Sequence, residues 1–203
     1  MAGICDSIIS KGIELNCESP IVKGLEADAV ICNRADVDFS QSAFDETSKN
    51  VLKTLILKNG KKGYAVVQQG SKPFTGTKIT LATGTYRNTF TNEISIAVLD
   101  NGPDVAQNII DGLANGSFVL ITKNVHKGEG GKAEYQVYGY YQGLRATAIE
   151  SDKYSEDTDG GWLVTLQETS APKSALFYFN KDSKTTETQF KSLLTESTAN
   201  GAG

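Results

Sequence analysis

The amino-acid sequence predicts a mainly β protein, an antiparallel β-sandwich or barrel-like domain with one flanking α-helix and extended terminal arms. The strongest observation is a succession of four runs rich in aromatic, β-branched and Thr residues, separated by turn-forming or acidic residues. These runs are residues 134–142, 144–151, 162–169 and 174–179. We interpret them as a meander that forms a broad antiparallel wall, which favours a structural building block over an enzyme.

Length and composition favour a single domain. The chain has 203 residues, of which 39% are hydrophobic and 22% charged, so it can bury one sizeable core. We predict one domain over residues 1–203, with its core at about 20–180. Residues 1–19 and 180–203 are predicted to be arms, because they carry too few apolar residues for a core of their own.

The first half of the chain predicts short strands joined by loops. Runs 51–57 and 63–69 flank Asn59–Gly60, a dipeptide typical of β-hairpin turns because it tolerates positive φ. We therefore expect these two runs to pair with each other. Further strands are predicted at Ala29–Cys32, 78–83 and 93–100.

One amphipathic helix is predicted over residues 103–114. Gly102 can cap its first turn, and Pro103 suits the first helical position. Apolar side chains spaced four residues apart predict a stripe that faces the sheet. These residues are Val105, Ile109 and Leu113.

The second half of the chain continues the β pattern. A strand is predicted at 117–125, followed by the Gly-rich loop Lys127–Lys132 and then by the meander. After Phe179 the composition becomes polar. Residues 183–197 predict a short C-terminal helix that uses Phe190 and two nearby leucines as its apolar residues.

Charge and cysteine usage exclude several classes of protein. The net charge of −4 argues against a nucleic-acid-binding protein that works through a basic surface. The three cysteines, Cys5, Cys17 and Cys32, do not form a disulfide framework, and we expect reduced thiols. With one histidine and no Cys-x-x-Cys motif, no metal site and no cofactor are predicted.

The loop Lys127–Lys132 invites comparison with a phosphate-binding P-loop. That motif requires Gly where His126 stands and Ser or Thr where Ala133 stands, so the spacing fails. The loop also lies between two predicted strands, whereas a P-loop precedes a helix. We interpret it as a hairpin tip.

The acidic segment Asp152–Gly160 resembles part of a calcium-binding loop. When Asp157 and Asp159 occupy its third and fifth positions, the glutamate expected at its twelfth position is replaced by Leu166. A solvated turn is therefore the favoured interpretation. An adventitious cation at this segment stays an open alternative.

No catalytic arrangement is recognisable in the sequence. His126 has no G-x-S-x-G nucleophile and no nearby cysteine, and Glu150 and Asp152 are ordinary strand-end carboxylates. Alternation places Tyr138 and Tyr140 on one face of a strand and Tyr141 on the other. This pattern favours core and subunit contacts over ligand stacking.

The chain shows no signal peptide and no apolar stretch long enough to span a membrane, so we expect no membrane partner and folding in a cytoplasm.

The order of elements and one hairpin resemble the tail-tube and related tail proteins of bacteriophages, especially those of Bacteroides-type bacteria. The resemblance covers about residues 75–180. It comprises a helix followed by a strand, a "Y-x-V-Y-G-Y-x-x-G-L" hairpin, and a Gly-preceded strand ending near Glu-Thr. The matching residues are Tyr135, Val137, Tyr138, Gly139, Tyr140, Gly143, Leu144, Gly161, Trp162 and Glu168.

This resemblance implies a non-enzymatic virion subunit, assembled in the host cytoplasm into homo-oligomeric rings of a phage tail or neck. It suggests a hexamer that contacts other tail or neck proteins and through which DNA passes as non-specific cargo. Tail tubes, neck and terminator rings, baseplate hubs and injection-system tubes are all compatible with it. A mildly acidic wall suits DNA passage, because dense Lys and Arg would retain the duplex.

Apolar residues of the arms and the meander are predicted to form the subunit interfaces. The candidates are Ile4, Ile8, Ile9, Tyr141, Phe190, Leu193 and Leu194. One alternative is a β-sandwich module that recognises a glycan or protein on a surface. A hydrolase or lyase with an unfamiliar site is a third hypothesis.

Overall fold

The computed structural model of the protein describes residues 9–70 and 72–197. Eleven strands form two sheets, which confirms the prediction of a mainly β sandwich with a flanking helix. The strands are β1 Leu25–Asn33, β2 Ala43–Phe44, β3 Val51–Thr54, β4 Tyr64–Val67, β5 Lys78–Ala82, β6 Thr89–Val98, β7 Phe118–Asn124, β8 Tyr135–Tyr138, β9 Arg145–Glu150, β10 Trp162–Ala171 and β11 Leu176–Tyr178.

The two sheets differ in size and in burial. The large sheet has seven strands in the order β2-β3-β11-β8-β7-β1-β4, and the small sheet has four in the order β5-β6-β10-β9. Named strands pair antiparallel except for β3 and β11, which are parallel.

The large sheet is covered on both faces. On β7, Leu120 points into the core between the two sheets, whereas Val119 and Ile121 point into a second core on the opposite face. Strand β1 alternates in the same way, with Ile31 in the first core and Cys32 in the second. A strand buried on both faces reads as a continuous apolar run, which explains the sequence of β7.

The predicted mid-chain helix, α1, is present but has a different phase from the one expected. It consists of Pro103–Val105, a π-helical turn Ala106–Ile110, and Asp111–Asn115, with Gly102 as N-cap. The π-turn adds a residue to one turn and so moves the apolar face forward by one position. Ile110 is buried with Val105 and Leu113, whereas Ile109 is 41% exposed, so the predicted place of Ile109 in the stripe was wrong.

The hairpin predicted across Asn59–Gly60 was also wrong. Gly60 does adopt positive φ (70°) in a turn. However, β3 pairs with β2 and β11, whereas β4 pairs with β1 at the far edge of the same sheet. The turn therefore changes the direction of the chain without pairing the strands on either side of it.

The four runs of the predicted meander are strands, but they do not form one wall. Strands β8 and β11 pair with each other in the large sheet, and β9 and β10 pair in the small sheet. The chain crosses between the sheets twice, at the turn after Tyr138 and at the turn after Ala171. The meander prediction was therefore wrong in its pairing.

The C-terminal segment up to Ser197 belongs to the folded core and is not an arm. Helix α2, Ser183–Ser192, begins at Asp182, whose side chain accepts a hydrogen bond from the Thr185 N–H at 2.7 Å. The segment after the helix is held by backbone bonds, including Gly63 N–H to the Leu193 carbonyl at 2.7 Å. Residues 198–203 lie outside the described residues.

Candidate assembly surface

The carboxylate of Glu168, on β10, is buried and fully engaged within the fold. It accepts hydrogen bonds from the backbone N–H groups of Gly139, Tyr141 and Gln142 at 3.0, 2.9 and 2.8 Å. The side-chain amide of Asn92 donates a fourth, at 2.8 Å. These bonds fasten the turn after β8, in the large sheet, to the small sheet, so this carboxylate serves the fold.

A second buried carboxylate, Glu134, has a comparable structural role. It lies 3.5 Å from the Nζ of Lys123 and 3.4 Å from that of Lys127, and the Ser183 hydroxyl donates to it. Ser183 is the first residue of α2. Glu134 therefore connects the Gly-rich loop before β8 to the start of the C-terminal helix.

The lone histidine contacts the N-terminal segment. The Nδ1 of His126 accepts a long hydrogen bond, 3.4 Å, from the backbone N–H of Val22. Within residues 9–70 and 72–197, no group of three or more His, Cys, Asp and Glu side chains is arranged to hold a metal ion. The acidic segment 152–160 forms turns, in which Asp152 accepts from the Tyr154 N–H at 2.9 Å.

Two cysteines of the described chain are free thiols with opposite environments. Cys32 is buried on β1, and burial, with a smaller contribution from the charge of Asp36, raises the pKa of its thiol to about 12. A thiol held protonated in this way is a poor nucleophile. Cys17 is exposed in the N-terminal segment. Cys5 lies outside the described residues.

The three tyrosines at and after the end of β8 do not follow the alternation that the sequence predicted. Gly139 adopts positive φ (81°), which ends the strand and reverses the direction of the chain. As a result Tyr138 points into the core between the sheets, whereas Tyr140 packs in the second core with Tyr141 against it. The ring of Tyr141 is half-buried, and burial is the main reason that its pKa rises to about 12.

The predicted interface residues divide into three groups. Ile4 and Ile8 lie outside the described residues. Phe190 and Leu193 are buried in the chain's own second core, where Phe190 packs against Tyr135 with 5.0 Å between ring centroids, so they are not available to a neighbour. Ile9 and Leu194 are exposed, and Tyr141 is half-buried.

The sandwich is open along the side where β4 ends the large sheet. Strand β4 faces β6 of the small sheet, and the Gln68 side chain bridges them by donating to the Ala97 carbonyl at 2.8 Å and accepting from its N–H at 2.7 Å. An apolar groove of about 540 Å³ lies here, with Val66, Ile96 and Ile109 among its lining residues. Sequence reasoning missed this groove because it depends on which strands end each sheet.

Both sheets present apolar edge strands on this open side. On β4, Tyr64 is 54% exposed, and Val67 is similarly exposed. Strand β5 pairs with β6 on the side away from β10, so the small sheet extends one strand beyond β4. The β5 residues Ile79 and Leu81 lie opposite Asn92 and Phe90, on the inward face, yet Leu81 is 55% exposed.

The N-terminal segment carries further exposed apolar residues. Residues 9–24 have no regular secondary structure, and all of them except Ser19 are exposed. Ile13 and Leu15 are 91% and 85% exposed. From Ile13 to Glu18 apolar and polar residues alternate strictly, a pattern typical of a half-buried strand, although this segment has no strand partner among the described residues.

The outer face of the small sheet is polar. Because β6 residues Ile94 and Ile96 point into the core, the residues between them and their cross-strand partners point outward. Lys78 and Glu93 point outward and are direct cross-strand partners, and Arg145 and Glu150 on β9 also point outward. Several other outward residues here carry hydroxyl groups, among them Thr80, Thr91, Thr147 and Thr165.

Comparison of the chain with family models, curated proteins and solved structures finds no match in any of the three. No helix in the described part of the chain is both long enough and apolar enough to cross a membrane.

Proposed function

We propose that this protein is a non-enzymatic structural subunit of a bacteriophage virion. Copies of it form a ring or tube in a phage tail or neck, through which DNA passes. Assembly takes place in the host cytoplasm, and the ring is a hexamer that contacts other tail or neck proteins. The hexamer, the virion location and these partners rest on the resemblance of the 75–180 region.

The open side of the sandwich is the observation that carries this proposal. An edge strand exposes unpaired backbone groups, and apolar side chains on it add a risk of aggregation in a monomer. Here β4 and β5 both end their sheets with exposed apolar residues, and an apolar groove lies beside β4. Closure of copies into a ring would cover such edges, which turns the liability into a subunit contact.

The outer face of the small sheet suits the wall of a DNA channel. The large sheet is covered on both faces, so the small sheet offers the broader exposed surface. Hydroxyl groups are frequent on it, the charges of Lys78 and Glu93 oppose each other across neighbouring strands, and Arg145 is its cation without a charged cross-strand partner. A face with few unopposed cations releases few counterions from DNA and therefore does not retain the duplex.

The environment of the titratable groups supports a non-enzymatic role. The buried carboxylates of Glu134 and Glu168 are engaged by the fold, and burial suppresses ionisation of the Cys32 thiol. A broad hydrolase screen is expected to show no turnover. Turnover that disappears in His126→Ala would contradict the non-enzymatic part of the proposal.

One observation favours the alternative of a surface-binding module. The ring of Tyr64 is 54% exposed and lines the apolar groove, an arrangement that also suits a glycan or a peptide. Negative-stain imaging and a glycan array, applied to the same purified protein, distinguish the two functions. Rings or tubes support the virion subunit, whereas uniform monomers that bind a glycan support the module.

A further inference from the structure

We infer that the N-terminal segment of one copy adds a strand to β4 of a second copy and completes its large sheet. The added strand is formed by residues 13–18, with Ile13, Leu15 and Cys17 facing the groove. This inference rests on the proposed function only for the arrangement of copies in a ring. The contact itself requires nothing except two copies of the chain.

The first support is a gap of one strand in the sandwich. The large sheet stops at β4, whereas the small sheet continues past β6 to β5, so β5 has no strand opposite it among the described residues. This explains why Ile79 and Leu81 point inward and are nevertheless exposed. A strand added beside β4 would extend the large sheet by one strand on the side where β5 extends the small sheet.

The second support is the open backbone edge of β4. The Gln68 N–H donates to the Ala27 carbonyl at 2.8 Å, which makes that residue a hydrogen-bonded partner of β1. In an antiparallel pair the bonded positions alternate, so the N–H and C=O groups of Ala65 and Val67 point away from β1. These groups are available to an incoming strand.

The third support is the pattern of the N-terminal segment. Alternation over Ile13–Glu18 places three apolar side chains on one face of an extended chain and three polar ones on the other. Residues 13–18 are long enough to pair with the whole of β4, which spans four residues. The segment thus has the form of a strand, and the groove has room for its apolar face.

The direction in which the segment leaves the fold indicates a second copy. β1 lies between β7 and β4 in the large sheet. Just before β1, the Gly24 carbonyl accepts from the Val125 N–H at 3.1 Å, and the Val22 N–H donates to His126. Both partners follow β7, so the segment starts on the side of β1 away from its own groove.

The test uses full-length variants, each of which damages one side of the contact, either the N-terminal segment or the edge of β4. Ile13→Asp/Leu15→Asp charges the apolar face of the segment. Ala65→Pro removes an outward N–H of β4 and leaves the bonds to β1 in place. Gly12→Asp/Asn16→Asp is the matched control, because it adds two charges to the opposite face of the same segment.

Sedimentation velocity is expected to show association of the unmodified chain and of the control. The Ile13→Asp/Leu15→Asp variant (segment variant) and the Ala65→Pro variant (edge variant) should each self-associate with an affinity about 100-fold or more below that of the unmodified chain. Their equimolar mixture should form a 1:1 heterodimer, because one supplies an intact groove and the other an intact segment. If Ala65→Pro fails to fold by circular dichroism, Tyr64→Asp replaces it as the groove variant, because Tyr64 lines the groove and is half-exposed.

Several results would overturn the inference. They are a monomeric unmodified chain, a segment variant that associates normally, and a mixture that stays monomeric. The result also separates this inference from the proposed function. If both variants still form rings, the function stands and the inference is wrong, whereas a heterodimer without rings from the unmodified chain supports the inference and contradicts the function.

Discussion

The carboxylate of Glu168 accepts a hydrogen bond of 3.0 Å from the backbone N–H of Gly139, and this contact joins the two sheets. Glu168 lies on β10 of the small sheet, and Gly139 directly follows β8 of the large one. A β-carbon at Gly139 would approach the Phe118 carbonyl oxygen to 2.3 Å, so the turn requires glycine for space as well as for φ. The contact therefore depends on both residues.

We expect Glu168→Gln to destabilise the fold by about 2–4 kcal/mol. The amide nitrogen would replace an acceptor and face backbone N–H groups in a buried site, where unpaired donors are costly. Urea unfolding measures the difference. Glu150→Gln, at an exposed glutamate on the end of β9, should change stability by no more than about 0.5 kcal/mol. Equal effects of the two variants would show that the buried contact is not important.

Neighbouring isoleucines of α1 should respond in opposite ways to the same substitution. Ile110→Asp places a carboxylate in the core and should either prevent soluble folding or cost about 3 kcal/mol or more. Ile109→Asp lies on the exposed side of the π-turn and should cost less than about 1 kcal/mol in the monomer. Thermal melting of both variants measures this difference, and the reverse order would show that the helix lacks the π-turn.

Stability should depend on pH through the cap of α2. Hydrogen bonds from Thr185 lower the pKa of Asp182, so its charged form stabilises the fold above the unfolded-state pKa. That contribution is lost as pH falls through the lower, folded-state value. At pH 6, Asp182→Ala should melt about 2–4 °C below the unmodified chain, and the gap should close in acid.

Asp182→Asn is the control for this pH dependence. Asparagine caps a helix without a titrating charge, so the difference in melting temperature between Asp182→Asn and Asp182→Ala should not vary with pH. A difference in melting temperature between the unmodified chain and Asp182→Ala that stays constant from neutral pH to acid would contradict the role of the charge.

The two described thiols should differ strongly in reactivity. In a Cys5→Ser background at pH 8, with Ala65→Pro added to keep the chain monomeric, a disulfide reagent should label Cys17 rapidly, because it is exposed in the single chain. Cys32 should react only as the chain unfolds, because burial raises its pKa to about 12. Reaction kinetics followed by absorbance measure both rates. Rapid labelling of Cys32 in the native protein would show that β1 is not buried as described.

Local signals in the sequence predicted where strands and turns lie. They did not predict which strands pair, because pairing depends on contacts between segments that are distant in the sequence. The Asn59–Gly60 turn and the four β-rich runs were correctly located, because turn chemistry and strand composition act over a few residues. Their partners were not predicted, since pairing of β3 with β11 joins residues more than 120 positions apart. The groove beside β4 depends on the pairing of β4 with β1 at the edge of the sheet, which was not predicted either.

Two further differences between the predicted and the observed structure have local causes that the sequence patterns do not indicate. The π-turn at Ala106–Ile110 shifts the buried face of α1 by one residue, and a period of 3.6 does not anticipate it. The C-terminal segment carries few apolar residues, yet Phe190 and Leu193 fill the second core opposite β1 and β7. Its polar composition reflects the solvent face of α2, so composition alone suggested an arm.

Cryo-electron microscopy of the purified full-length protein tests the central claim most directly, because it shows both the assembly and the joined strands. We expect closed rings or tubes with a central channel, the polar outer face of the small sheet turned toward that channel, and the β4 edge covered by a neighbouring copy. Single copies at high protein concentration, or rings in which the β4 edge is exposed to solvent and the small sheet faces outward, would contradict this account.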